Sequence, residues 1–162
     1  MSQTITVGIS DLNVVRAPDV LVTYALGSCV GICLYDASTK VAGLSHIMLP
    51  SSKQAPTSVN QPFKFADTAV ELLIRKMESL GGRRALLKAK IAGGAQMFSG
   101  MSNSTIANIG QRNVAAVKME LIRQKIPILA EDTGKNYGRT LFLTAEDGMM
   151  RIKSANKGEW VW

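Results

Sequence analysis

Apolar and polar residues alternate over residues 3–9, Gln-Thr-Ile-Thr-Val-Gly-Ile, and predict a strand. Residues 11–19 read as a connector closed by the turn signal Ala17-Pro18-Asp19. A β-branched run over 20–25 predicts a second strand, Gly27-Ser28 interrupts it, and 30–35 resumes strand character. A polar loop over 36–40 leads into a returning strand over 41–49, ended by Pro50. The Ser/Pro/Gln-rich stretch 51–62 has no periodicity and is long for a connection inside a compact domain.

The pattern then changes period. Ala69, Leu72, Leu73, Ile74, Met77 and Leu80 recur near helical spacing and predict a helix over 65–80, with Asp67 in its first turn and Gly81-Gly82 after its end. Residues 85–92 predict a strand broken by Gly93-Gly94, and 95–108 is a second irregular stretch. A second helix is expected over 110–125, with Val114, Val117, Leu121 and Ile122 on its apolar face and Pro127 behind it. Strands follow over 128–131, 139–144 and 149–153, the last two joined by a hairpin turn at Glu146-Asp147-Gly148. The tail over 157–162 carries Trp160 and Trp162, which either dock on the body or offer a sticky patch. Strands, helix, strand, helix, strands is an α+β order: mixed and antiparallel sheets packed with two main helices.

Composition narrows the class. A chain of 162 residues fits one domain, 1–162, and 46% hydrophobic content with a mean hydropathy of +0.11 excludes a disordered chain. No apolar run is long enough to span a bilayer, and the first residues show no secretory signal pattern, so a cytoplasmic protein without membrane insertion is expected. The net charge of +7 suggests either an acidic partner or simply a solvated basic surface. Nucleic acid is disfavoured as that partner, because only 6% of residues are aromatic and no basic run is interleaved with them.

Both cysteines, Cys29 and Cys33, and the only histidine, His46, lie within 23–50. If the 36–40 loop turns between Ala37 and Ser38, Tyr35 faces Lys40, Cys33 faces Ala42 and Cys29 faces His46 across a hairpin. Directly opposed side chains sit on one face with Cβ atoms roughly 5 Å apart. A one-residue change of loop length would separate the pair, and a two-residue change would leave them diagonal neighbours. An imidazole beside a thiol activates it as a nucleophile. The Gly27-Ser28 turn brings the backbone amides of Ser28 and Cys29 forward as an oxyanion-holding pair. Thr23, on the incoming strand, is a candidate to orient His46 through its hydroxyl or its carbonyl oxygen. Cys33 reads as a buried hydrophobe. Four strand steps, about 13 Å, argue against a Cys29–Cys33 disulfide. Two cysteines and one histidine also leave a tetrahedral metal shell unfilled, so no metal is expected.

Leu26-Gly27-Ser28-Cys29-Val30 followed by Leu44-Ser45-His46-Ile47-Met48-Leu49-Pro50 resembles the CheD family, the chemoreceptor glutamine deamidases of bacterial chemotaxis. Phe65-Ala66-Asp67 stands at that family's Tyr-Ala-Asp helix start, Gly93-Gly94-Ala95-Gln96-Met97-Phe98 resembles its Gly-Gly-Ala-x-Met-Phe stretch, and Ile109-Gly110-Gln111-Arg112-Asn113 its Ile-Gly-x-Arg-Asn helix start. Asp132-Thr133-Gly134 and Gly138-Arg139 match its Asp-x-Gly-Gly and Gly-Arg elements, except that Lys135 replaces the second glycine. The resemblance implies a fold similar to toxin-type cysteine deamidases and a catalytic set falling on Cys29, His46 and Thr23. It implies hydrolysis of selected receptor glutamines to glutamate with release of ammonia, through a thioester and without a cofactor. Methyl-accepting chemoreceptors are the implied substrates and the phosphatase CheC an implied partner. Loops 51–62 and 95–108 are candidates for the groove. Met97 and Phe98 are candidates for an apolar contact with substrate or partner, or else for closing the core. The alternative function is a non-catalytic chemotaxis adaptor that binds receptors or CheC.

Overall fold

The computed structural model describes residues 2–54, 61–97 and 108–162. Among these residues ten strands form two five-stranded sheets, and two α-helices cover one of them. In the first sheet the order is β1 (Thr4–Thr6), β3 (Val20–Leu26), β8 (Arg139–Thr144), β9 (Met150–Ser154), β10 (Gly158–Val161). In the second it is β2 (Asp11–Arg16), β5 (Val41–Ile47), β4 (Val30–Asp36), β6 (Lys88–Gly93), β7 (Ile128–Thr133). Two pairings are parallel, β1 with β3 and β6 with β7; the rest are antiparallel, so both sheets are mixed as the element order predicts.

Strand periodicity sorts the core into two layers. In β4, Val30, Ile32 and Leu34 face α1 (Ala66–Ser79) and α2 (Ile109–Arg123), where they meet Leu73, Met77 and Leu121. Cys33 points the other way, between the sheets, among Leu26, Leu44, Leu141 and Leu143. The layers therefore run helices, second sheet, first sheet. A strand buried on both faces needs apolar residues at nearly every position. Accordingly β4 and β5 are buried almost throughout.

Two elements escape the sequence pattern. The expected connector over 11–19 contains β2, whose Leu12 and Val14 pack toward the helices while Val15 packs between the sheets. Apolar residues on both faces erase the alternation that marks a strand. The tail forms β10, antiparallel to β9. Trp160 docks, its Nε1–H donating to Asp132 at 2.5 Å, whereas Trp162 remains 41% exposed. Ile122, expected on the apolar face of α2, is 72% exposed. Lys135 adopts φ +64°, the left-handed backbone that a glycine there would adopt without strain.

The hairpin register also differs from expectation. Asp36 pairs with Val41, Tyr35 with Ala42, Cys33 with Leu44 and Gly31 with His46, a shift of two residues from the predicted pairing. The cause lies in the loop. The Asp36 carboxylate accepts hydrogen bonds from the Ser38 backbone N–H at 2.9 Å and its hydroxyl at 2.6 Å, and Lys40 takes φ +54°. This side-chain turn makes residues 37–40 a four-residue loop. Cys29 is thus a diagonal neighbour of His46 instead of its direct partner.

Candidate active site

His46 lies near the C-terminal end of β5, fully buried, with its ring directed between the sheets toward β3. That end of β5 is clamped from outside: Met48 and Leu49 donate their N–H groups to the Lys64 carbonyl, and Ala66 N–H donates to the Leu49 carbonyl at the start of α1. Thr23 meets it from the first sheet, with Oγ1 2.7 Å from His46 Nδ1 and 2.7 Å from the Val7 carbonyl oxygen.

That pair of distances determines the proton positions. A hydroxyl has one hydrogen, and the Val7 carbonyl can only accept. Thr23 therefore donates to Val7 and accepts from His46 Nδ1–H. In the neutral imidazole the lone pair then resides on Nε2, which is buried and has no hydrogen-bond partner among the described residues. Of the two Thr23 oxygens considered from the sequence, the hydroxyl is the one in contact.

Cys29 precedes β4 and is partly exposed. It packs against the inter-sheet cluster, the side to which His46 points. Two residues on, Gly31 pairs with His46, so strand periodicity places Cys29 on the same face, one diagonal step away. Diagonal Cβ atoms lie about 7 Å apart, within reach of an imidazole ring. Burial pushes the Cys29 thiol pKa up, and its own backbone N–H partly offsets this. Burial also lowers His46 to about 4. Near neutral pH the resting pair is therefore thiol and neutral imidazole.

The turn carrying Cys29 is fastened at three successive carbonyls. Gly27 O accepts from Ala95 N–H and Cys29 O from Gly94 N–H, both at 2.8 Å; Ser28 O accepts from Asn113 Nδ2 at 2.9 Å. Gly93 has φ +109°, and a Cβ there would stand 2.3 Å from the Cys29 carbonyl oxygen, so the approach requires glycine. Asn113 went unassigned from the sequence. Its signal was a polar residue in line with Gly110, Val117 and Leu121 on the buried face of a helix.

Met97 lies against Gly27, its Cγ 3.4 Å from where a Gly27 Cβ would be, and is 45% exposed. It sits at the rim of the site and does not close the core. Phe98 and most of 95–108, with residues 55–60 of the other proposed groove loop, lie outside the described residues. Cys33, four residues from Cys29, is buried beside Leu44 inside the inter-sheet core. Among the described residues no group of three or more His, Cys, Asp or Glu is arranged to hold a metal ion. No helix there is long and apolar enough to cross a membrane.

Residues 48–154 match the family model described as CheD chemotactic sensory transduction. The matched span begins just after His46, but similarity to individual proteins extends over the whole site. The chain is 52% identical over 154 residues to the probable chemoreceptor glutamine deamidase CheD of Clostridium botulinum (strain Eklund 17B / Type B), covering 95% of this chain and 94% of that protein. It is 50% identical over 159 residues to the chemoreceptor glutamine deamidase CheD of Halalkalibacterium halodurans, covering 98% of each. A probable CheD of Syntrophomonas wolfei gives the same identity and coverage. With half the residues shared along nearly its whole length, and the family model matched over two-thirds of it, this chain belongs to the CheD family.

Proposed function

We propose that residues 1–162 form one CheD-like domain that deamidates glutamine side chains of bacterial chemoreceptors, with Cys29 as nucleophile, His46 as base and Thr23 as the residue that orients it. The observation that carries this reading is the Val7–Thr23–His46 chain, which leaves the His46 Nε2 lone pair, unpartnered among the described residues, on the face that Cys29 shares.

The steps follow from the neutral resting pair. His46 Nε2 takes the Cys29 thiol proton as Sγ bonds to the carboxamide carbon of the glutamine, and the carbonyl electron pair moves onto oxygen. The backbone N–H groups of Ser28 and Cys29 hold that oxyanion. The carbon–nitrogen bond breaks, the imidazolium protonates the departing ammonia, and a thioester remains on Cys29. Water then attacks the thioester and gives a proton to His46. Collapse releases glutamate, and the thiol regains its proton. Thr23, a neutral acceptor, keeps Nδ1 protonated throughout without stabilising the imidazolium as strongly as a carboxylate would.

The relatives named chemoreceptor glutamine deamidase support receptors as the substrate. The net charge of +7 suits an acidic helical surface, and exposed Met97 and Met48 beside the site offer it apolar contact. Cytoplasmic placement belongs to the same reading, and the family resemblance supports CheC as a regulatory partner. Incubation with receptor, followed by mass spectrometry of its peptides, tests the function. The expected result is conversion of selected glutamines to glutamate by the wild type and none by Cys29→Ala. Receptor binding without conversion would favour the adaptor instead.

A further inference from the structure

One buried side chain holds both arms of the site. Asn113, in the second turn of α2, is fully buried, and its Nδ2 lies 2.9 Å from the Ser28 carbonyl oxygen and 2.8 Å from the Met48 carbonyl oxygen. Both partners can only accept, so the amide NH₂ faces them and the orientation of the side chain follows from chemistry. Oδ1 is left buried with no partner among the described residues, where the side chain's bonding is through its two donors. Ser28 immediately precedes Cys29, and Met48 lies two residues beyond His46. The helix comes close enough for this reach because of Gly110: a Cβ there would stand 2.4 Å from the Ala95 carbonyl oxygen.

Anchoring the Ser28 carbonyl has a directional consequence. In a trans peptide the C=O and the following N–H point to opposite sides. Fixing Ser28 O on Asn113 therefore turns the Cys29 N–H away from α2. That is the side of the inter-sheet cluster, against which the Cys29 side chain packs. A donor on the sulfur side is where the oxyanion forms when the sulfur attacks a carbonyl carbon.

We propose that Asn113 is a positioning residue, which sets the Ser28–Cys29 peptide in its oxyanion-binding orientation and ties that peptide to the strand carrying His46. This rests on Cys29 as the nucleophile. Asn113 touches no reacting atom; it acts through the Ser28 and Met48 carbonyls.

The test separates oxyanion stabilisation from thiol reactivity. Asn113→Asp keeps the shape and removes the donors; Asn113→Ala is the second variant and decides the matter if the first does not fold. Each full-length protein is assayed for kcat and KM on receptor, and for the rate of Cys29 alkylation by iodoacetamide, located by peptide mapping. Alkylation needs the sulfur but forms no oxyanion. The expected result is a fall in kcat of about 10²-fold, with KM and alkylation rate within about threefold of wild type. Wild-type kcat in a folded variant, or kcat and alkylation falling together, would overturn the proposal. Full alkylation of wild-type Cys29 with deamidation intact would overturn the nucleophile itself, and this role with it.

Discussion

Thr23 Oγ1 accepts the His46 Nδ1–H at 2.7 Å because its own proton is committed to the Val7 carbonyl. The contact joins β3 of one sheet to β5 of the other, so the tautomer of His46 is set by how the sheets pack. Thr23→Val keeps the β-branched shape and removes the hydroxyl. It leaves a buried N–H and a buried carbonyl unpaired, each costing about 1–3 kcal/mol. A drop in kcat of about 10- to 100-fold is expected, while Thr23→Ser retains most activity. Nitrogen-15 spectra of the ring should show Nδ1 protonated in the wild type and the Nε2–H form gaining in Thr23→Val.

His46 also makes a pH prediction. Burial lowers its pKa from 6.5 to about 4. Between those values the unfolded chain binds a proton that the folded chain refuses, so this contribution to stability is full above about pH 6.5 and is lost as pH falls toward 4. The loss is on the order of 3 kcal/mol. His46→Gln should flatten the acid side of the stability curve by about that amount. Since His46 is the only histidine, its single ring resonance reports the titration directly, with an expected midpoint well below 6.5.

Much of this site was readable along the chain because it is local. The thiol, the imidazole and the Gly-Ser turn all fall within one hairpin, and the β4 and β5 patterns were plain. The hairpin register was not readable, because it depends on the Asp36 carboxylate folding back on Ser38 and on a left-handed Lys40. The diagonal Cys29–His46 relation is what a two-residue shift leaves. Asn113 was invisible as a site residue because its partners, Ser28 and Met48, are 85 and 65 residues away in sequence. On α2, spacing alone could not distinguish Leu121, which is buried, from its neighbour Ile122, which is not.

The two thiols should separate cleanly. Cys33 is 2% exposed, and burial raises its pKa strongly despite the nearby Lys90 charge. Cys29 is partly exposed. Iodoacetamide on the native protein should therefore modify Cys29 and leave Cys33 intact until the chain is unfolded. Cys33→Ala should keep kcat and cost about 1 kcal/mol of stability, read from denaturant melts.

Two backbone substitutions are expected to act in opposite directions. Gly93→Ala places a Cβ 2.3 Å from the Cys29 carbonyl oxygen at φ +109°, and should cost at least about 2 kcal/mol and displace the turn carrying Cys29. Lys135→Gly relieves a left-handed side-chain residue at φ +64° and should stabilise the fold by roughly 1 kcal/mol without altering kcat. Thermal melts paired with activity assays check both.

The proposed mechanism requires a covalent bond between Cys29 and the substrate acyl group. Mixing the protein with a glutamine-bearing receptor fragment, quenching in acid within the first turnover and mapping the adduct by mass spectrometry tests it directly. The prediction is a fragment attached through a thioester to Cys29, at the mass of the fragment less one ammonia, and absent in Cys29→Ala. Rapid conversion of glutamine to glutamate by Cys29→Ala, or an adduct on any other residue, would contradict it.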